Sequence, residues 1–255
     1  MQRYDYQSAD EKLKDVGITE KLGDFVPLDV TLTNEKGEEI QIAEIFDKGQ
    51  PVLLNVIYFN CPSICSLILN GVTDAMSEIR WKPGREYQVI TLSMDHSEGH
   101  ELAAAKKNSY LHMLGRDEAA DGWHFLTGSE EEIRRLTDAV GFNFKWSDEH
   151  REFLHGSAIM FLSPEGKVAR YLYGAEYSTR DVTNALFDAS NGTVGSTMER
   201  IALYCFTFDP DSGQYVPFAM NIMKVGGAVV LLSLGLVLGI FWIRERSKDK
   251  NEISL

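Results

Sequence analysis

The chain has 255 residues, a formal net charge of −13 and 44% hydrophobic residues. This length suits one buried domain with an appended segment better than two full domains. The apolar and aromatic content excludes a disordered or collagen-like chain. So acidic a protein also lacks the Lys/Arg surface on which nucleic-acid binding depends, and we expect no nucleic-acid partner.

The first part of the chain predicts a hairpin, a strand and a helix. Residues 22–46 alternate between apolar and polar types and break at the turn sequence NEKG (34–37), which predicts a β-hairpin. Residues 51–59, PVLLNVIYF, form a continuous apolar run typical of a strand that is covered on both faces. A turn containing cysteine and proline follows, and residues 64–80 then predict a helix.

The rest of the domain continues to alternate between strands and helices. Strands are predicted at 87–94 and 123–126, helices at 98–114, 129–140 and 178–189, and a second hairpin at 157–173. Ser129 is followed by three glutamates, which is a signature of a helix start. This order predicts an α/β fold with right-handed crossovers, and the final hairpin makes the sheet mixed.

One segment predicts a transmembrane helix. Residues 225–243 contain no charged side chain, and a helix of that length reaches roughly 28 Å, close to the hydrocarbon core of a bilayer. Four basic residues follow between 244 and 250, so the C-terminus should face the cytoplasm. The alternative, a buried helix of a soluble protein, lacks neighbouring segments that could cover it. We therefore expect an inner (plasma) membrane protein of bacterial type with an extracytoplasmic domain.

The chain divides by composition into five parts. An exported domain requires an export signal, but residues 1–20 are polar without an apolar core, so we expect that a signal has been removed. The predicted parts are an N-terminal tether (1–21), a globular domain (22–190), a connector (191–217), a transmembrane anchor (218–243) and a cytoplasmic tail (244–255).

Cys61 and Cys65 lie in the sequence NCPSIC, where the central strand ends and a helix begins. Helix N-termini stabilise thiolates because their N–H groups carry a positive partial charge. A spacing of four residues puts two thiolates on one helix face, about 6 Å apart along the axis. Such a pair binds a soft ion such as Cu(I) or Zn(II), or closes a disulfide. Metal binding, dithiol redox chemistry and a structural disulfide all remain open on this spacing.

His155 differs from the other five histidines in its setting. It directly precedes the second predicted hairpin, in the sequence FLHGS. If that hairpin pairs with the strand that leads to the cysteines, His155 faces them across one end of the sheet. The other histidines are interpreted as surface or structural residues.

Four blocks of the chain resemble the Sco/SenC family, and the resemblance covers roughly residues 22–190. The blocks are NVIYFNCPSIC (55–65), VITLSMD (89–95), WHFLTG (123–128) and FLHGSAIMFLSPEGKVARYLYG (153–174). The resemblance implies a thioredoxin-like fold with an inserted hairpin. It also implies that Cys61, Cys65 and His155 bind copper, as Cu(I) or Cu(II).

Family members help to build the dinuclear copper centre of cytochrome c oxidase subunit II, as copper donor, thiol reductant or both. The resemblance therefore implies a metallochaperone rather than a turnover enzyme, whose partner is an oxidase subunit with a copper centre. A membrane-anchored thiol–disulfide reductase and a fixed accessory subunit of a larger respiratory complex are the alternatives. The Gly235-x-x-x-Gly239 spacing in the predicted anchor would suit helix docking onto such a complex.

Four further residues are compared with the family pattern: one matches it, two differ from it and one lies outside it. Asp95 matches a family acid after the second strand and either orients a ligand, attracts copper or caps a helix. His96 stands where the family has proline, and Gly99 stands where it has a second acid. Cys205 is interpreted as a buried apolar residue, with a resolving thiol or a transient copper ligand as the sharper alternatives.

Overall fold

A computed structural model describes residues 16–61, 64–194, 206–209, 214–217 and 233–234. These residues belong to two compact units, residues 1–195 and residues 196–255. The first unit contains all of the predicted globular domain.

The elements follow one another in nearly the predicted order. The strands are β1 (Gly17–Ile18), β2 (Thr31–Thr33), β3 (Glu39–Gln41), β4 (Val52–Ile57), β5 (Gln88–Ser93), β6 (Trp123–Leu126), β7 (Phe142–Ser147), β8 (Glu152–His155), β9 (Ala158–Leu162), β10 (Val168–Tyr173), β11 (Phe206–Asp209) and β12 (Gln214–Pro217). The helices are α1 (Ala43–Phe46), α2 (Ile64–Glu78), α3 (His100–Leu114), α4 (Glu130–Ala139) and α5 (Thr179–Ser190), with a short 3-10 turn at Asp117–Ala119.

The first unit is built on a five-stranded sheet in the order β10–β9–β4–β5–β6. Strands β4, β5 and β6 run parallel, whereas β9 is antiparallel to β4 and β10 is antiparallel to β9. The predicted mixed α/β sheet is therefore confirmed. Every residue of β4 and β5 is buried, as expected for apolar runs at the centre of a sheet that is covered on both faces.

The helices that follow the strands pack against this sheet. Helix α5 contacts β9 and β10, α3 contacts β6, and α2 contacts both α3 and α5. Helix α4 begins as predicted, because the Ser129 hydroxyl accepts a hydrogen bond from the Glu132 N–H. Helix α2 carries the cysteine segment, so its packing fixes one side of the candidate site.

A second, three-stranded sheet was not predicted. Its order is β1–β7–β8, and both pairings are antiparallel. Gly17 and Ile18 pair with Asn143 and Phe142, so the last residues of the predicted tether (1–21) are part of the domain. The β7–β8 hairpin leads directly to His155 and so forms part of the candidate site.

The first hairpin is shorter than its sequence indicated. Only Thr31–Thr33 and Glu39–Gln41 pair, around the predicted turn, so the hairpin predicted within residues 22–46 is correct only near its turn. Residues 25–30 run as a loop that forms an isolated β-bridge between Phe25 and Lys167, and Val26 and Val30 are buried in the core. In the turn of this hairpin, the Glu35 carboxylate lies 2.5 Å from the Lys107 ammonium on α3. This ion pair holds the hairpin next to β6.

In the second unit, β11 and β12 form an antiparallel hairpin within the predicted connector. Across the parts of the chain that the structure describes, no helix is both long and apolar enough to cross a membrane. The predicted transmembrane run (225–243) lies outside the described residues, except for Ser233 and Leu234. Cys205, the Gly235-x-x-x-Gly239 spacing and the predicted cytoplasmic tail also lie outside them.

Candidate metal site

The first predicted ligand, Cys61, lies at the end of a tight turn after β4. The Cys61 N–H donates to the carbonyl oxygen of Tyr58 over 3.3 Å. The residue is buried, with 8% of its surface exposed. Because β4 is a central strand, this turn starts from one of the most firmly packed segments of the domain.

Cys65 is the second residue of the 15-residue helix α2, which begins at Ile64. Its backbone is therefore at the helix N-terminus, as its sequence predicted, where the helix dipole favours a thiolate. Its side chain lies outside the described part of the structure.

The third predicted ligand, His155, is the last residue of β8. Three residues later β9 begins, and β9 pairs antiparallel with β4, the strand that leads into the cysteine turn. This pairing of the second hairpin with the cysteine-bearing strand was the condition for His155 to lie near the cysteines. The topology thus brings the two segments to the same end of the central sheet.

An aromatic contact connects these two segments. The Tyr58 ring packs edge-on against the Phe153 ring, with ring centroids 5.4 Å apart. Phe153 and His155 are two residues apart in β8, and alternate residues of a strand point to the same face. The face of β8 that carries His155 is therefore the one turned toward the cysteine turn.

The surroundings of His155 favour a neutral imidazole with a defined tautomer. The Nδ1 atom lies 2.8 Å from the carbonyl oxygen of Gly156, and since a carbonyl only accepts, Nδ1 carries the proton. The lone pair is then on Nε2, the usual arrangement for a metal-binding histidine. Burial lowers the pKa of His155, although the Gly156 carbonyl and the Glu152 charge oppose that shift. The ring also stacks on Phe142, with centroids 5.9 Å apart.

Among the side chains that the structure describes, no three His, Cys, Asp or Glu residues are grouped so that they could hold a metal ion. The predicted ligand set includes Cys65, whose side chain is not described, and so remains a prediction. Its chemistry suits copper, because thiolates select Cu(I) and imidazole accepts copper in either oxidation state.

The interpretation of Asp95 as a helix N-cap is wrong. Helix α3 begins at His100, and its N-cap residue is Gly99, which makes no side-chain cap. The Asp95 carboxylate instead accepts hydrogen bonds from the N–H and hydroxyl of Ser97, at 2.9 and 2.6 Å. Asp95 therefore stabilises the loop between β5 and α3.

A second acid in this loop, Glu98, was missed by the sequence analysis. Its side chain is buried, and its carboxylate accepts the N–H groups of Phe59 and Asn60, each over 2.7 Å. These are the two residues directly before Cys61. The sequence held a partial signal, since Glu98 is one position before the place where the resemblance implies an acid.

An open cleft of ≈ 420 Å³ lies beside the β7–β8 hairpin. Phe144, Trp146 and Phe153 line one part of it, and Asp95 and His96 line another. Trp146 is 45% exposed. An exposed aromatic side chain thus lies next to the β8 segment that carries His155.

Comparison with known proteins identifies the family to which this chain is similar. The SCO1/SenC family model matches residues 23–191. A SCO1 protein homolog of Bacillus subtilis (strain 168) is 26% identical over 153 residues, which are 59% of this chain and 75% of that protein. The mitochondrial SCO2 homolog of Homo sapiens is 23% identical over 192 residues, which are 72% of this chain and 65% of that protein.

Solved structures show the same fold. A protein of Aquifex aeolicus VF5, to which electron transfer has been ascribed, is 30% identical, with a TM-score of 0.60 over 70% of this chain and 98% of that one. BsSco, described as a member of the Sco family of cytochrome c oxidase assembly proteins, is 22% identical, with a TM-score of 0.53 over 68% of this chain and 98% of that one. The expected thioredoxin-like α/β fold is confirmed.

Proposed function

The chain belongs to the SCO1/SenC family, and we propose that it is a copper metallochaperone for a respiratory oxidase. In this proposal Cys61, Cys65 and His155 bind one copper ion, and the protein passes that ion to the oxidase subunit that carries a copper centre. The observation that carries the proposal is the state of His155. Its Nδ1 proton is engaged by the Gly156 carbonyl, so the lone pair that a metal would require is on Nε2.

The donor set explains why a bound ion can be both held and released. Two thiolates and one imidazole favour copper over hard cations such as Mg²⁺. Three ligands leave a coordination position open, and a thiol of the target enters there by ligand exchange. We place the docking surface for the target at the cleft that Phe153 lines, because Phe153 lies two residues before His155 on β8.

The proposed location follows from the charge pattern of the C-terminal segment. The uncharged run at 225–243 and the basic residues after it support an anchor in the membrane with an outward-facing domain. An outward position would place the cysteines outside the cytoplasm, so the proposal requires that the target presents its copper centre on that side. Docking onto a larger respiratory complex is a further part of this proposal.

An anaerobic Cu(I) titration of the reduced full-length chain tests the proposal. A chromogenic chelator competes for the ion, and the variants are Cys61→Ser, Cys65→Ser and His155→Ala. The matched control is His150→Ala, because His150 is an exposed histidine in the turn before β8.

We expect the parent and His150→Ala to bind one equivalent tightly, and the three ligand variants to lose at least about tenfold in affinity. A parent that binds no copper would refute the metallochaperone. Retention of full affinity by His155→Ala would remove His155 from the site and leave a two-thiolate site.

The alternative is a thiol–disulfide reductase, and the position of Cys65 at the start of α2 favours it. One thiolate would attack a target disulfide and form a mixed disulfide, and the second would displace the target. The products are two target thiols and a Cys61–Cys65 disulfide, which an external thiol reductant must reduce again. This activity does not require His155, so His155→Ala would retain it while losing copper.

A further inference from the structure

The turn before Cys61 is fastened by a carboxylate from the neighbouring loop. Glu98 Oε2 accepts the N–H of Phe59 and Oε1 accepts the N–H of Asn60, both over 2.7 Å. We infer that Glu98 is a positioning residue for the copper site, acting through the backbone of this turn. The inference rests on the proposed copper function and adds to it a residue that makes no contact with the metal.

The Glu98 carboxylate supplies the hydrogen-bond acceptors that the backbone of the turn requires. Phe59 is 1% exposed, and a buried backbone N–H that lacks an acceptor is strongly unfavourable. Two consecutive N–H groups require two acceptors close together, and one ionised carboxylate supplies both. Hydrogen bonds to an ionised acceptor are also shorter and stronger than those between neutral groups.

Glu98 is itself held in place from two directions. Its Oε2 atom accepts the Ser93 hydroxyl over 2.6 Å, and Ser93 is fully buried at the end of β5. Its own N–H donates to the carbonyl oxygen of Asp95 over 3.1 Å. The carboxylate therefore connects the carboxyl ends of two adjacent parallel strands, β4 and β5.

The Glu98 carboxylate can affect the proposed metal site because only a short turn separates its hydrogen bonds from Cys61. Asn60 is bonded to Cys61, and the Cys61 N–H closes the same turn onto Tyr58. With three of its N–H groups engaged, the turn holds the Cys61 backbone in one conformation whether or not copper is present. A site that is already ordered binds its ion more tightly than one that must be ordered on binding.

A purely structural role predicts a different outcome from a positioning role. If Glu98 only stabilised the domain, its loss would lower the free energy of unfolding, and the folded fraction would bind copper as before. If it positions Cys61, the folded variant would release copper faster. The amides of Phe59 and Asn60 would then also exchange with solvent faster than the rest of the core.

The test compares the full-length parent with Glu98→Gln, which keeps the side-chain length but replaces one acceptor oxygen by a donor. The control is Glu101→Gln, because Glu101 has a carboxylate that is 79% exposed in the first turn of α3. Urea unfolding gives the folded fraction, and chelator competition gives the Cu(I) affinity and dissociation rate. Hydrogen exchange by NMR follows the Phe59 and Asn60 amides without copper.

We expect Glu98→Gln to lose about 10- to 100-fold in Cu(I) affinity through faster dissociation, with faster exchange of the two amides. Glu101→Gln should match the parent. A folded Glu98→Gln with parental copper dissociation would overturn the inference.

If Glu98→Gln does not fold, hydrogen exchange of the parent alone provides the test. Phe59 and Asn60 amides of the parent that exchange as fast as those of an exposed turn would also overturn the inference. A parent that binds no copper would refute the proposed function, while the amide exchange still reports whether Glu98 holds the turn.

Discussion

Tyr58 and Phe153 form the one aromatic contact, among the described side chains, that joins the cysteine turn to the β7–β8 hairpin, with ring centroids 5.4 Å apart. Tyr58 is three residues before Cys61, and Phe153 is two residues before His155. The contact therefore couples the two segments on which the proposed ligands lie, although neither ring belongs to the ligand set.

A double-mutant cycle on Tyr58→Leu and Phe153→Leu tests this coupling. We expect each substitution to lower the free energy of unfolding by about 1–2 kcal/mol. The two should be coupled by about 0.5–1.5 kcal/mol, because an edge-on aromatic pair stabilises beyond the area that it buries. Urea unfolding of the four proteins measures the cycle. Phe187→Leu, at an exposed position of α5, is the control and should add to Tyr58→Leu without coupling. A coupling energy of zero for the aromatic pair would contradict the prediction.

The second prediction concerns the ion pair between Glu35 and Lys107. Their side chains are each only 11% exposed, with 2.5 Å between Oε1 and Nζ. We expect Lys107→Met to lower the free energy of unfolding by about 3 kcal/mol, because it leaves the Glu35 charge buried without its cation. Replacing both residues, by Glu35→Leu and Lys107→Met, should be less damaging than Lys107→Met alone, because no uncompensated charge remains.

Urea unfolding measures these differences, and an exposed ion pair provides the comparison. Lys82 and Glu118 lie 2.6 Å apart, but their side chains are 42% and 53% exposed. Lys82→Met should therefore change the stability by less than about 1 kcal/mol. If Lys107→Met were as mild as Lys82→Met, the pair would not fasten the first hairpin to α3.

Strong local patterns made most of the central sheet predictable. Strand β4 and the serine cap of α4 were predicted correctly. A strand that is buried on both faces is a continuous apolar run, and a helix start has a characteristic capping residue. The β7 strand was overlooked although Phe142, Phe144 and Trp146 alternate as a half-buried strand should. Six residues are a short run, and so short an alternation is a weak signal for a strand.

The role of Glu98 could not be predicted from the sequence, for a different reason. Its partners are backbone N–H groups 38 and 39 positions away, and these carry no residue-type signal. Only the parallel pairing of β4 with β5 brings the two loops together. Contacts between a side chain and a distant backbone depend on the register of the sheet, which composition and periodicity do not determine.

The third prediction is a pH dependence of stability that arises from His124. Burial is the largest cause that lowers its pKa from 6.5 to about 4, with Lys107 and Lys48 adding to it and Glu35 and Asp121 opposing it. Between pH 6.5 and pH 4 the unfolded chain therefore takes up a proton that the folded chain does not. Stability falls through this window as the pH falls, by on the order of 3 kcal/mol in total. Below about pH 4 both states are protonated, and the contribution of His124 no longer changes.

Urea unfolding of the parent and of His124→Gln at pH 7, 5.5 and 4.5 isolates this contribution. Carboxylates that titrate in the same range are present in both proteins, so their effects cancel in the difference. The parent should lose more stability than the variant as the pH falls. Equal losses would mean that His124 is protonated as easily in the folded chain as in the unfolded one.

The last prediction concerns Gly71, in the middle of the helix that carries Cys65. A Cβ atom at this position would lie 2.0 Å from the carbonyl oxygen of Ala175, so the helix and the loop before α5 could not keep their present separation. Alanine favours a helix over glycine by about 1 kcal/mol, but overpacking against backbone should outweigh this gain. We expect Gly71→Ala to lower the free energy of unfolding by about 2 kcal/mol and to weaken copper binding by shifting α2. Asp74→Ala, an exposed position of the same helix, is the control and should change stability by less than about 0.5 kcal/mol. Urea unfolding and Cu(I) competition measure both effects, and a Gly71→Ala protein as stable as the parent would show that α2 can move without loss.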